Sequence, residues 1–233
     1  MIIAIIGDIG SGKSVTATKK ILDSNLPCFV NFNITSKRKN LFRLKKKDII
    51  TSELKGVKKS GEEIIEHKVN WDFWNKALFK HKNYNICLDE VHNIIHSRQS
   101  MSKFNILASI WISQIRKILG DSEISNIYLI TQKLMRLDTA WRDLLNAVIF
   151  CKKYEDYSRP IPTLCYQNNK LVIKILPSIY IINHYFIGMN CDLMFNNFAL
   201  FNEKTYTYRT SYLANPYFQY YNSFELFGET AYL

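Results

Sequence analysis

The stretch Gly7-Asp8-Ile9-Gly10-Ser11-Gly12-Lys13-Ser14 has the residue types and spacing to bind a nucleoside triphosphate. Its glycines let consecutive backbone N–H groups turn toward one point, which makes a concavity for anions. A helix opening at Lys13 would add the positive end of its dipole. The pattern GxxxxGK[ST] is met in the context it needs, because the apolar run Ile2 to Ile6 leads directly into it. Gly7 to Val15 are therefore the expected phosphate cradle, with Asp8, Ile9 and Ser11 as loop members. Lys13 is expected to bridge the β- and γ-phosphates of ATP, and Ser14 to bind Mg²⁺.

Asp89 and Glu90 follow a second apolar run, Asn85 to Leu88. Ligands of open α/β sheets gather at the carboxyl ends of strands. Asp89 is expected in the Mg²⁺ shell, and Glu90 is the expected base that polarises the attacking water. Adjacent acids at a strand end also make ordinary helix caps, so the pair gains its meaning from the first motif. A third apolar run, Ile127 to Thr131, ends at Gln132. Its amide can donate to a phosphate and accept from water, which suits a sensor of the γ-phosphate. No NKxD segment follows, so the acidic pair favours hydrolysis by an additional-strand ATPase over a GTPase switch.

Those chemical groups need a scaffold that gathers strand ends. Buried strands are expected at Ile2 to Ile6, Cys28 to Ile34, Asn85 to Leu88, Ile127 to Thr131 and Ala147 to Cys151. Segments of helical period lie between them, at Lys13 to Asp23, Trp71 to Phe79, Ser102 to Leu119 and Thr139 to Leu145. This alternation predicts an α/β fold, a mostly parallel sheet with helices on both faces. We expect a core over residues 1–153, interrupted by a basic insertion at about 35–70. Residues 154–233, rich in Tyr and Phe and punctuated by Pro160, Pro162 and Pro177, are expected to form a β-rich or irregular appendage on that core.

The chain has 233 residues, of which 47% are hydrophobic and 22% charged, a balance that excludes wholesale disorder. Its cysteines, Cys28, Cys87, Cys151, Cys165 and Cys191, are odd in number and form no CxxC pair, as expected of a reducing interior. No stretch reads as a membrane span or signal peptide. The net charge of +11 draws on Lys37, Arg38, Lys39, Arg43, Lys45, Lys46, Lys47, Lys55, Lys58 and Lys59. Such a field attracts polyanions, nucleic acid first among them, although a solvated basic loop has the same composition. His92 and His96 stand i, i+4 like metal ligands, but no third ligand is near in sequence.

The order GxxGxGKS, hhhDE, a helix ending in Arg, hhhTQ and then Asp138-Thr139-Ala140-Trp141-Arg142-Asp143-Leu144 resembles the FtsK-HerA superfamily of DNA-pumping ATPases. Within it, virus genome-packaging ATPases and zonula occludens toxin-like phage assembly ATPases are the most alike, over about Ile2 to Lys153. The resemblance implies a RecA-like core, ATP and Mg²⁺ as cofactors, double-stranded DNA as partner, and a homo-oligomeric ring, a hexamer. It also implies an arginine finger reaching a neighbouring subunit's nucleotide, with Arg116 as the match and Arg98 and Arg142 as competitors. The function expected is a motor that packages a viral genome into a capsid, working in the host cytoplasm beside capsid or membrane proteins of the virion. An assembly or export ATPase of the toxin-like group is the alternative. A small-molecule nucleotide kinase is a third reading, disfavoured by the TQ strand end and the polymer-like charge. The aromatic run from Asn215 onward is expected to clamp the tail to the core.

Overall fold

The structure, a computed structural model, describes residues 1–58, 60–91, 102–119, 124–167, 170–188 and 206–221. The elements in chain order are β1 (Ile2–Ile6), α1 (Lys13–Asp23), β2 (Cys28–Val30), β3 (Leu41–Arg43), α2 (Lys46–Ile49), β4 (Ile50–Val57), β5 (Glu63–Val69), α3 (Trp71–Lys80) and β6 (Asn85–Leu88). They are followed by α4 (Lys103–Ile118), β7 (Ile127–Ile130), α5 (Thr139–Arg142), β8 (Ala147–Gln167), β9 (Lys170–Ile187) and β10 (Tyr208–Leu213).

One eight-stranded sheet carries the order β10-β9-β8-β1-β7-β6-β2-β3. The strands from β8 to β3 pair in parallel, and β9 and β10 are added antiparallel at the β8 edge. β7 lies between β1, which leads into the glycine loop, and β6, which ends at the acidic pair. That interposed strand is the additional strand expected from the sequence, and the fold is the expected mostly parallel α/β sheet.

All five residues of β1 are buried because helices cover both faces. Ile2, Ala4 and Ile6 point into a core shared with α3, α4 and α5, where Trp74, Trp111 and Trp141 pack in succession. Ile3 and Ile5 point the other way, into a core with Val15, Ala17 and Ile21 of α1. This division follows from the two-residue side-chain period of a strand.

The helices start where sequence chemistry allows. Asn70 accepts from the Phe73 N–H to cap α3, Ser102 from Asn105 to cap α4, and Asp138 from Ala140 to cap α5. α1 differs, since its N-cap is Gly12 in the left-handed region with no side-chain cap. Its first N–H groups are thus left for an anion.

Three regions depart from the strand lengths expected. β2 ends at Val30 rather than Ile34, where the Asn31 side chain hydrogen-bonds the Asp89 main chain. The stretch 35–70 supplies β3 to the edge of the main sheet, then the separate β4–β5 hairpin. β8 runs 21 residues rather than stopping at Cys151, because it leaves β1 and continues as one arm of a hairpin with β9. The hairpin bends back over the sheet's carboxyl end. Asn215 donates from Nδ2 to Thr163 Oγ1 at 2.8 Å and to the Pro177 carbonyl at 3.0 Å, and the Tyr166 hydroxyl donates to Thr35 Oγ1 at 2.8 Å.

Candidate functional site

The glycine loop connects β1 to α1 and needs backbone shapes that side chains resist. Gly7, Gly10 and Gly12 have φ of 148°, 76° and 92°. A Cβ at Gly7 would come within 2.6 Å of the Cys151 carbonyl oxygen, and one at Gly12 within 2.3 Å of Ile181 Cδ1. The loop therefore depends on glycine both for conformation and for the close approach of β8 and β9.

Lys13 bends back over this loop. Its Nζ donates to the carbonyls of Gly7 at 2.9 Å and Asp8 at 2.7 Å. Burial pushes the ammonium below its ordinary pKa, opposed by the nearby acids Glu90, Asp89 and Asp8 among others. A desolvated cation held at the loop's mouth is placed to meet phosphate oxygens.

Across from it, the Ser14 hydroxyl donates to Asp89 Oδ2 at 3.0 Å. Asp89 is only 3% exposed, and burial raises its carboxyl to about 6, helped by the charge of Glu90 and opposed by the Ser14 and Glu90 hydrogen bonds and by Lys13. Its main chain is fixed by Asn31, just past β2. The Asp89 N–H donates to Asn31 Oδ1 at 2.7 Å, and Asn31 Nδ2 donates to the Asp89 carbonyl at 2.9 Å. Glu90 follows in the left-handed region at φ 50°, with its N–H donating to Asp89 Oδ1 at 2.8 Å. Non-glycine residues adopt that conformation at a cost and concentrate at functional sites when they do.

These residues fit Mg²⁺. A buried carboxylate whose ionised form is disfavoured faces a hydroxyl, and a divalent cation bound with phosphates supplies the charge that would stabilise it. Among the described residues no cluster of three or more His, Cys, Asp or Glu forms an all-protein metal cage.

Around the loop lies a cavity of about 570 Å³, ample for a nucleotide. Lys13, Ser14, Glu90 and Gln132 line one side of it, so the structure brings together the expected phosphate, metal, base and sensor positions. The opposite side was not read from the sequence. Lys153, Cys165, Tyr166, Lys174, Leu176, Ile179 and Ile181 come from the β8–β9 hairpin, and Phe218 and Tyr221 from the segment after β10. Asn31, which holds the Asp89 main chain, was not read either, because it falls inside the run Cys28 to Ile34. The others depend on the hairpin folding back.

The two described arginines considered as fingers, Arg116 and Arg142, are elsewhere. Arg116, in the last turn of α4, lowers the pKa of the Met1 amine by its charge, second to burial. Met1 precedes β1, whereas the glycine loop follows it. Arg142 donates to Met135 Sδ at 3.1 Å and Thr139 Oγ1 at 2.9 Å. Neither lines the cavity. Arg98, His92 and His96 lie outside the described residues, as do Lys59, Cys191, Gly120 to Glu123 and the tail beyond Tyr221.

The basic positions divide by role. Arg38 donates to the carbonyls of Ile21, Leu22, Ser24 and Leu26 and so caps the C-terminal end of α1. Arg43 donates to Asn33, and the Lys46 ammonium lies 4.2 Å from the Phe104 ring centre. Lys37, Lys39, Lys45 and Lys47 are exposed. No helix among the described residues is long and apolar enough to cross a membrane.

No family model matches the chain, and no curated protein matches it. Among solved structures it is similar to the N-terminal domain of zonular occludens toxin from Neisseria meningitidis, at 14% identity over 91% of this chain and 92% of that one, with a TM-score of 0.46. It is also similar to the genome packaging NTPase of Sulfolobus turreted icosahedral virus 2 in complex with ATP-gammaS, at 12% identity over 64% of this chain and 74% of that one, with a TM-score of 0.40. The DNA-packaging ATPase from Sulfolobus Turreted Icosahedral Virus shares 17% identity over the same 64% and 74%, with a TM-score of 0.33. With likenesses of this size, the functional reading rests on the chain's own site.

Proposed function

We propose that this chain is an ATP-hydrolysing motor that moves double-stranded DNA, packaging a viral genome into a capsid. The observation that carries the hydrolytic part is that Lys13, Ser14, Glu90 and Gln132 line one cavity with Asp89 hydrogen-bonded to Ser14, on a sheet whose additional strand separates the two motif strands.

In this reading the loop N–H groups and the α1 N-terminus bind the phosphates, and Lys13 holds the β- and γ-phosphate oxygens. Mg²⁺, held by Ser14 and Asp89, would neutralise phosphate charge as the bond to the leaving ADP oxygen breaks. Glu90 accepts hydrogen bonding from the attacking water and turns its lone pair toward the γ-phosphorus. Gln132 contacts the same phosphate and reports whether it is present. Asn31 keeps Asp89 in place throughout.

The motor part rests on charge and architecture. Exposed Lys37, Lys39, Lys45 and Lys47 would track phosphates without reading bases. A homo-oligomeric ring, a hexamer, with Arg116 as trans finger, completes the proposal. Such a motor would work in the host cytoplasm at a procapsid, docked to capsid or membrane proteins of the virion.

The test is Mg²⁺-dependent ATP hydrolysis with and without duplex DNA. We expect turnover that rises severalfold on adding DNA, loses that rise as salt increases, and falls at least about a hundredfold in Glu90→Gln with ATP binding kept. Hydrolysis indifferent to DNA would replace DNA pumping with an assembly or export ATPase. Absence of hydrolysis in the wild-type protein would remove the enzyme reading.

A further inference from the structure

The phosphate-binding residues occupy only one side of the 570 Å³ cavity, and its other side has a different chemistry. Val15, Leu176, Ile179, Ile181, Phe218 and Tyr221 make an apolar face of it beside Lys153, Cys165, Tyr166 and Lys174, with no amide or carboxylate among them. Ile179 and Ile181 belong to the same buried core as Val15, so this wall is rigid. Ile181 abuts Gly12 of the loop itself, which makes the apolar surface continuous with the phosphate cradle.

Phe218 differs from the aliphatic residues beside it. The ring is half-buried, packs on that core from one side, and has no ring partner among the described aromatic pairs, whereas Tyr217 meets Tyr212 and Tyr221 meets Phe32. Its position is held firmly. The Phe218 N–H donates to the Asn215 carbonyl, and the Asn215 side chain bonds Ile179, Thr163 and Pro177 of the hairpin. Beyond it, the Thr35 N–H donates to the Tyr220 carbonyl at 2.9 Å, tying the segment to the far side of the sheet.

We propose that this apolar wall is the nucleobase subsite, that a base stacks on the Phe218 ring, and that the site accepts purines without reading their edges. The proposal rests on the triphosphate-binding reading above and adds where the rest of the nucleotide lies. Aromatic stacking tolerates any base because every base has a π-face. A site that read a base edge by paired donors and acceptors would place amide or carboxylate side chains here and would reject the wrong purine by large factors.

Calorimetric titration of the full chain with Mg²⁺ complexes of ATP, GTP and inorganic tripolyphosphate tests it. The wild-type protein is expected to bind ATP and GTP within about tenfold of each other. Phe218→Ala should weaken both by roughly tenfold and leave tripolyphosphate unchanged, while Phe218→Tyr should restore the nucleotides. Should the alanine variant fold poorly, Phe218→Leu keeps the apolar bulk without the ring and is expected to show the same selective loss. Equal losses for nucleotide and tripolyphosphate would overturn the proposal, as would no loss at all or a hundredfold preference for one purine. Lys13→Ala separates the two levels. Tripolyphosphate binding that survives Lys13→Ala would overturn the phosphate reading itself, whatever Phe218 does.

Discussion

The hydroxyl of Ser14 donates to Oδ2 of Asp89 at 3.0 Å, joining the end of the glycine loop to the end of β6 across 75 residues of sequence. Two strands of a parallel sheet bring these groups together only because β7 separates β1 from β6 and leaves a gap at their carboxyl ends. The contact gives the proposed Mg²⁺ site its electrostatic character.

Asp89 should make stability depend on pH in an unusual direction. Burial raises its carboxyl from 3.8 to about 6, so the folded chain holds this proton more tightly than the unfolded one. The resulting stabilisation is full below the unfolded value and is lost as pH rises through the folded value. Asp89→Asn should therefore be more stable than wild type at pH 8 in Mg²⁺-free buffer, by on the order of 2 kcal/mol, with the gap closing near pH 4. Urea midpoints at the two pH values measure this. A gap of equal size at both would mean that the Asp89 charge is already compensated. The same variant should lose ATP turnover.

Asn31 should act on the reaction through Asp89. Its side chain makes reciprocal hydrogen bonds with the Asp89 main chain, and Asn31→Ala leaves both of those groups without their partner. A stability loss of about 2 kcal/mol is expected, together with a lower kcat. Asn31→Asp is the sharper variant, because it keeps the acceptor, removes the donor and adds a like charge near Asp89. The pH–rate profile should move to higher pH, as Asp89 ionises later. An unmoved profile would reduce Asn31 to a structural residue.

The loop glycines should not be equivalent. A Cβ on Gly10 meets nothing within 4 Å, whereas one on Gly7 meets the Cys151 carbonyl at 2.6 Å. Gly10→Ala should cost about 1 kcal/mol, the conformational strain of positive φ alone. Gly7→Ala should cost at least about 2 kcal/mol more and should abolish nucleotide binding, because backbone atoms of β8 cannot withdraw as a side chain could. Thermal and chemical denaturation of the two variants make the comparison. Equal losses would show that the strand edge yields.

The sequence made visible whatever is encoded locally. β1, α1 and β6 match the expected bounds residue for residue, since Ile runs, the glycine loop and a strand end in acids are local signals. Lys13 and Ser14 follow from the glycine-loop motif, and Asp89, Glu90 and Gln132 because they come just after strand ends. Lys153, Lys174 and Phe218 were not legible, since they reach the cavity only after a 21-residue strand and its 18-residue partner bend over the sheet. Hairpin curvature of that kind is set by long-range bonds such as Asn215 to Thr163, which leave no periodic pattern. Arg38 illustrates the converse. It reads as part of a basic field, yet its guanidinium is spent on carbonyls at and just beyond the end of α1.

The ring proposal can be tested by mixing variants. Arg116 does not line the cavity of its own chain, and its charge acts on Met1, ahead of β1, while the phosphate site follows β1. An arginine with that placement can serve a nucleotide only on another subunit. Lys153 and Lys174, in contrast, line the cavity from within the same chain. Arg116→Ala keeps an intact phosphate site, and Lys13→Ala keeps an intact arginine, so neither should hydrolyse ATP alone. Mixed rings contain interfaces where both are intact, and activity should rise above that of either parent. If Lys174→Ala by itself also lacks turnover, mixing it with Lys13→Ala should show no such gain, because each site would still lack one residue of its own chain. If Arg116→Ala alone keeps near-normal turnover under assembling conditions, Arg116 is not the finger. Arg98 and then Arg142 would enter the same mixing experiment. A gain with Lys174→Ala would mean that the hairpin is exchanged between subunits, and the cavity would then be completed across an interface rather than within one chain.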